Sequence, residues 1–236
     1  MREQLKGAWR PCLAELIGTF ALVFIGAGVV CADSFLVNVQ RASGGIGLLG
    51  IALAHGLVLA IIVSATGHIS GGHINPAVTA GFLVTGRITR TLGILYILSQ
   101  LVGAILASLL LRAIFPADAW QPATLGTPAL GMAISYWDGV LLEFILTFFL
   151  VFTVFAVAVD ERAPKSIYGF AIGLVLTFDI LAGGPLTGAA MNPARAFGPA
   201  LVSGSWNDHL VYWIGPLLGG MAAALLYNYA LLENKA

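Results

Sequence analysis

Apolar residues run through this chain in blocks too long for the helices of a soluble domain. Six blocks lie between breaks made by Gly, Pro and charge, at about 12–33, 46–67, 90–114, 136–159, 167–183 and 208–231. Crossing a bilayer takes roughly 20 apolar residues, so each block reads as a transmembrane helix. Two shorter apolar runs, Ala77 to Val84 and Ala194 to Val202, fall between the second and third blocks and between the fifth and sixth. Each follows the same signal, Asn75-Pro76-Ala77 and Asn192-Pro193-Ala194. Asn readily accepts the orphan N–H groups of a helix start, and Pro suits the first helical position. Half-helices are therefore expected over 75–84 and 192–202, each at most half a span. A helix start carries about half a positive charge, so two starts meeting near the bilayer centre would repel cations. The pattern points to a membrane pore.

The chain also repeats itself. Glu15-Leu-Ile-Gly-Thr-Phe-Ala-Leu-Val-Phe24 matches Glu143-Phe-Ile-Leu-Thr-Phe-Phe-Leu-Val-Phe152, and Ser70-Gly71 before the first Asn-Pro-Ala matches Thr187-Gly188 before the second. Residues 12–114 and 136–231 are thus two copies within one channel domain, 1–236. Three spans per copy is an odd number, so the second copy enters from the opposite side and the two are related by a pseudo-two-fold axis in the membrane plane. Small residues at four-residue spacing, Gly103 and Ala107, then Gly215, Gly219 and Ala223, permit close helix approach.

Composition agrees with the membrane: 59% hydrophobic, 9% charged and a formal net charge of zero. Nothing in this balance suggests nucleic acid. Arg2, Lys6, Arg10, Arg87, Arg90, Arg162, Lys165 and Lys235 fall on one side of the layout, Arg41 and Arg112 on the other, so both termini are expected in the cytoplasm. The first apolar block carries Glu15 and exceeds a signal-peptide core, so it reads as a retained span. Short tails favour a prokaryotic inner membrane over a plant vacuole. Two cysteines and four histidines, all scattered, offer no nucleophile and base and no metal cluster. The expectation is a non-enzyme without cofactor or metal.

Ile69-Ser-Gly-Gly-His-Ile-Asn-Pro-Ala-Val78, Gly188-Ala-Ala-Met-Asn-Pro-Ala-Arg-Ala-Phe-Gly-Pro199, the Glu15 block and its Glu143 copy together resemble the aquaporin (major intrinsic protein) family over nearly the full chain. The resemblance implies an all-α aquaporin fold of six transmembrane helices plus two half-helices in an inverted repeat. It also implies a homotetramer in which each chain carries its own pore. Four side chains would form the selectivity filter, located by their offsets from the two asparagines: His55, twenty before Asn75; Ile180 and Ala189, twelve and three before Asn192; and Arg195, three after it. A fixed guanidinium there would bind water and repel cations and protons. His at 55 with an aliphatic residue at 180 is similar to the tonoplast-type aquaporins, and the phrase Ala182-Gly-Gly-Pro-Leu-Thr-Gly-Ala-Ala-Met-Asn-Pro-Ala194 adds to that likeness.

The resemblance implies passive water conduction down an osmotic gradient, with ammonia or other small neutral solutes passing too. A glycerol facilitator is the rival within the family, but Ala196, Ala200 and Tyr212-Trp213 follow the water-channel pattern. The alternative for Tyr212 and Trp213 is an interfacial aromatic belt. A proton-coupled transporter would use Glu15, Glu143 or Asp179 as its coupling acid. The resemblance instead gives Glu15 and Glu143 the role of bracing the loops that lead into the half-helices. Asp179 is either a satisfied structural acid or a group that tunes His55 or Arg195. His73 is structural or lines the cytoplasmic vestibule.

Overall fold

The computed structural model describes residues 7–232, and every regular element in that range is helical. The α-helices in chain order are α1 (Trp9–Ser34), α2 (Gly47–Ser70), α3 (Pro76–Val84), α4 (Arg90–Ile114), α5 (Ala117–Trp120), α6 (Tyr136–Val154), α7 (Tyr168–Thr187), α8 (Pro193–Ser203) and α9 (Val211–Leu226), with 3-10 turns at Thr124–Gly126 and Lys165–Ile167. Single π turns extend α1 (Phe35–Val39), α6 (Phe155–Val159) and α9 (Tyr227–Leu231). Six of the helices are long and apolar enough to cross a membrane. The half-helices α3 and α8 have 9 and 11 residues, about 14 and 16 Å of rise. Arg2, Lys6 and Lys235, used in the orientation argument, lie outside the described residues.

Several span limits differ by a few residues from the sequence reading; the second span runs on to Ser70 and the sixth begins at Val211. The first span starts at Trp9, with Pro11 in the opening turn, where a missing N–H is harmless. The fifth does not break at Gly183-Gly184-Pro185 but runs to Thr187. Pro and Gly are tolerated inside membrane helices because neighbouring helices re-satisfy the freed backbone groups. What ends the helix is Gly188 at φ 81, the left-handed stop that Gly takes at little cost.

Within lipid, helices gain little from apolar burial against each other, so packing rests on close fit. One close fit relates the two copies. Gly56 of α2 and Gly173 of α7, each nineteen residues before its Asn, face one another so tightly that a Cβ on either would strike the other's carbonyl. Gly103 seats α4 on Leu16 and Phe20 of α1, and Gly215 and Gly219 seat α9 on Val140 and Phe144 of α6. Large apolar side chains such as Ile61, Ile94, Phe149 and Phe178 stay exposed on the outer faces, as a lipid-facing surface requires.

Candidate functional site

Each copy carries a buried carboxylate on its first span. Glu15 on α1 accepts from the backbone N–H of His73 (2.9 Å) and Ile74 (2.6 Å), from Ser70 Oγ (2.7 Å) and from Gln100 Nε2 (2.7 Å). Glu143 on α6 accepts from the N–H of Ala190 (2.9 Å) and Met191 (2.7 Å) and from Thr187 Oγ1 (2.7 Å). Neither is exposed, and both serve the irregular backbone leading into the half-helices, whose N–H groups lack helical partners. Tyr96 and Tyr212 add matching bonds, each from its hydroxyl to the carbonyl of Ser70 or Thr187 at 2.8 Å. Tyr212 is fully buried, so an interfacial belt does not account for it.

The loops these groups hold are strained. Ile74 sits at φ 55 and Met191 at φ 51, left-handed conformations that cost a non-Gly residue about 1–3 kcal/mol. A carboxylate oxygen on the N–H of each fixes the twist. Its result is a reciprocal lock: Asn75 Nδ2 donates to the carbonyl of Met191 (2.8 Å), and Asn192 Nδ2 donates to the carbonyl of Ile74 (2.9 Å). The side-chain oxygens cap the half-helices. Asn75 Oδ1 accepts from the N–H of Ala77, and Asn192 Oδ1 from those of Ala194 and Arg195. Pro76 and Pro193 stand at the first helical position, as the tripeptides imply. Each asparagine amide has two N–H groups, so one on each remains beyond the lock.

Both asparagines line a narrow central cavity, with His73 also on its wall. The His73 ring packs on Phe82 at 4.3 Å between centroids, and its Nδ1 lies 3.1 Å from Thr79 Oγ1. An outer cavity shares His55 and Arg195 with the central one. Ala189 stands on the inner wall and Ile180 on the outer, so all four expected filter residues gather at this junction.

Arg195 reaches across it from the first turn of α8. Its Nη1 donates to the carbonyl of Gly126 (2.8 Å), and its Nη2 lies 3.4 Å from His55 Nε2. His55 Nδ1 is 2.9 Å from the carbonyl of Ile51, which assigns the ring hydrogen to Nδ1 and leaves Nε2 as the acceptor facing the guanidinium. The one salt bridge among the described residues is Arg162 with Asp160, so Arg195 is held by neutral acceptors. Its buried Nε has no partner there.

Asp179 is buried beside Ile180, but it lines neither cavity, and among the described residues its Oδ2 finds no hydrogen-bond partner. The Gly126 carbonyl escaped the sequence reading because a backbone acceptor has no side-chain signature. Leu125 and Gly126, at φ 55 and 73, aim it. Gln100 was also missed; a polar residue in an apolar span was the available signal.

Residues 3–227 match the major intrinsic protein family. Aquaporin TIP4-4 of Zea mays is 50% identical over 227 residues, covering 94% of this chain and 86% of the relative. Probable aquaporin TIP3-2 of Arabidopsis thaliana is 45% identical over 235 residues, covering 95% and 85%. Both relatives come from plants, so the expectation of a prokaryotic inner membrane gains no support from them. The X-ray structure of the aquaglyceroporin from Plasmodium falciparum superposes with a TM-score of 0.82 over 95% of this chain and 97% of that one, at 21% identity, a likeness of fold. With this match over nearly its whole length, two capped half-helices and an inverted repeat, the chain belongs to the major intrinsic protein family, where its relatives are tonoplast-type aquaporins.

Proposed function

We propose that the chain is a passive water channel, with His55, Ile180, Ala189 and Arg195 as its selectivity filter and Asn75 and Asn192 as its central constriction. The observation that carries this is the junction between the cavities. A guanidinium held by neutral acceptors and two half-helix starts present positive potential to the path, and no acid is among the residues lining either cavity. Cations and protons are repelled, while neutral molecules that both donate and accept hydrogen bonds pass. The aliphatic Ile180 and small Ala189 leave the aperture wider and less polar than a strict water filter, so ammonia and similar small neutral solutes accompany water.

The proton-coupled reading loses its acids. Glu15 and Glu143 are occupied as loop braces away from the path, and Asp179 lines neither cavity. No chemical step, cofactor or metal enters the reading. We place both termini in the cytoplasm, with Arg87, Arg90, Arg162 and Lys165 on that face, and assign the chain to a homotetramer with one pore per subunit.

The test is stopped-flow shrinkage of liposomes carrying purified protein, under an impermeant osmolyte, repeated with glycerol and with an ammonium gradient read by an internal pH dye. The expected result is fast shrinkage, slow glycerol entry and a rise in internal pH. An Arg195→Val variant should admit glycerol faster relative to water. Folded protein that fails to accelerate shrinkage over empty liposomes would refute the reading.

A further inference from the structure

Each half-helix is anchored at its start by the asparagine lock. Its other end is held too, by the third span of the opposite copy. Near the end of α4, Arg112 donates from Nη1 to the carbonyl of Val202 in the last turn of α8, at 3.0 Å. Its guanidinium also lies over the Trp120 ring, 5.2 Å from the centroid. On the other face, Arg87, in the turn leaving α3, donates from Nε to Oδ1 of Asn228 at 2.8 Å. Asn228 belongs to the π turn that extends α9.

On the span side the two ties correspond. Arg112 follows Gly103 by nine residues, and Asn228 follows Gly219 by nine. Those glycines seat α4 on Leu16 and α9 on Phe144, the residues directly after Glu15 and Glu143. The repeat has kept the position and exchanged the chemistry: in one copy the span supplies the cation, in the other it supplies the acceptor. The last carbonyls of a helix lack internal partners and carry its negative end, so a cation at Val202 suits α8 twice over.

The half-helices differ in what they carry. α8 bears Arg195 in its first turn, whereas α3 has Val78 at the matching place. A helix of 11 residues is a short stiff rod, so play at one end becomes displacement at the other. We propose that Arg112 is a positioning residue for the filter: by fixing the last turn of α8 against α4, it holds Arg195 within reach of His55 and the Gly126 carbonyl. The Arg87 to Asn228 tie holds α3 and acts on conductance without setting selectivity. This rests on the filter reading above.

The experiment compares R112A, R112K, R87A, N228A and R195V with the parent protein in liposomes matched for protein content, after gel filtration and thermal melting confirm a folded sample. Water shrinkage and glycerol entry are both recorded, and their ratio is the readout. R112A should raise glycerol relative to water about tenfold, the worth of one charge-assisted hydrogen bond, and R112K should restore part of it. R87A and N228A should alter water flow with the ratio unchanged. A merely structural tie would scale both solutes together. If R195V leaves the ratio unmoved, the filter reading fails. If R195V raises it while folded R112A does not, or if N228A raises it equally, the positioning role of Arg112 is overturned. Should R112A fail to reconstitute, R112Q is judged on the same ratio.

Discussion

Replacing Glu143 by Leu removes one side chain and strands three donors. The N–H groups of Ala190 and Met191 and the hydroxyl of Thr187 all give to this carboxylate, at 2.9, 2.7 and 2.7 Å. A buried donor left without an acceptor costs about 1–3 kcal/mol, so the two backbone groups alone lose roughly 2–6 kcal/mol. Removing a charge from the bilayer interior works the other way, since an acid at mid-membrane costs about 2.5–3.5 kcal/mol on insertion scales. The Thr187 hydroxyl, stranded as well, raises the loss to roughly 3–9 kcal/mol, so the loss prevails. A net loss of about 2–3 kcal/mol should lower the melting midpoint in detergent by on the order of 5–10 °C. Glu143→Gln keeps one acceptor and should fall between. Water permeability should drop in the same order, since Met191 supplies the carbonyl that Asn75 grips. Fluorescence-detected melting and liposome shrinkage read both. A Leu variant that melts within about 2 °C of the parent and conducts normally would refute the bracing argument.

Three further outcomes are expected. Mercurials should leave filter conduction intact, because position 189 is Ala and Cys31 is fully buried; Ala189→Cys should create a reversible block measurable by shrinkage before and after thiol. The Arg162 guanidinium holds the Asp160 carboxyl well below its ordinary range, and Arg162 N–H and Tyr227 add to this. The stability it confers is present above the ordinary carboxylate pKa and is lost only as pH falls through the depressed value. Melting of the parent should therefore not change through this group between about pH 7.5 and 5, while Asp160→Asn lowers it throughout that range. Burial pushes the His209 imidazole below its ordinary 6.5, and its Nε2 accepts from Trp213 Nε1 at 3.1 Å. That stability is complete above 6.5 and declines as pH falls below it, so acid melting curves should flatten in His209→Gln, which cannot take up the proton.

How much of this was legible depended on whether a side chain or the backbone carried the information. The spans, the half-helices and the repeat were readable because Asn-Pro-Ala, Glu15 and Glu143 advertise themselves by type and spacing. Gly183-Gly184-Pro185 misled, since a soluble helix would end there and a membrane helix continues to Thr187. The asparagine lock was not readable at all. It depends on Ile74 and Met191 adopting left-handed backbone, which neither residue prefers and which only distant carboxylates impose. The Gly126 carbonyl under Arg195 and the Arg112 tie depend likewise on segments far apart in sequence meeting in space.

The lock also bears on how the channel comes into being. Its two bonds join positions 116 and 118 residues apart, and each loop supplies the other's acceptor. A ribosome delivering the chain into a membrane therefore completes the first three spans with Asn75 Nδ2 and the Ile74 carbonyl still lacking these partners. Such groups are costly in hydrocarbon. The nascent first half must keep them wet or loosely packed until α8 inserts, so the water path is sealed to its final shape only at the last stage of biogenesis.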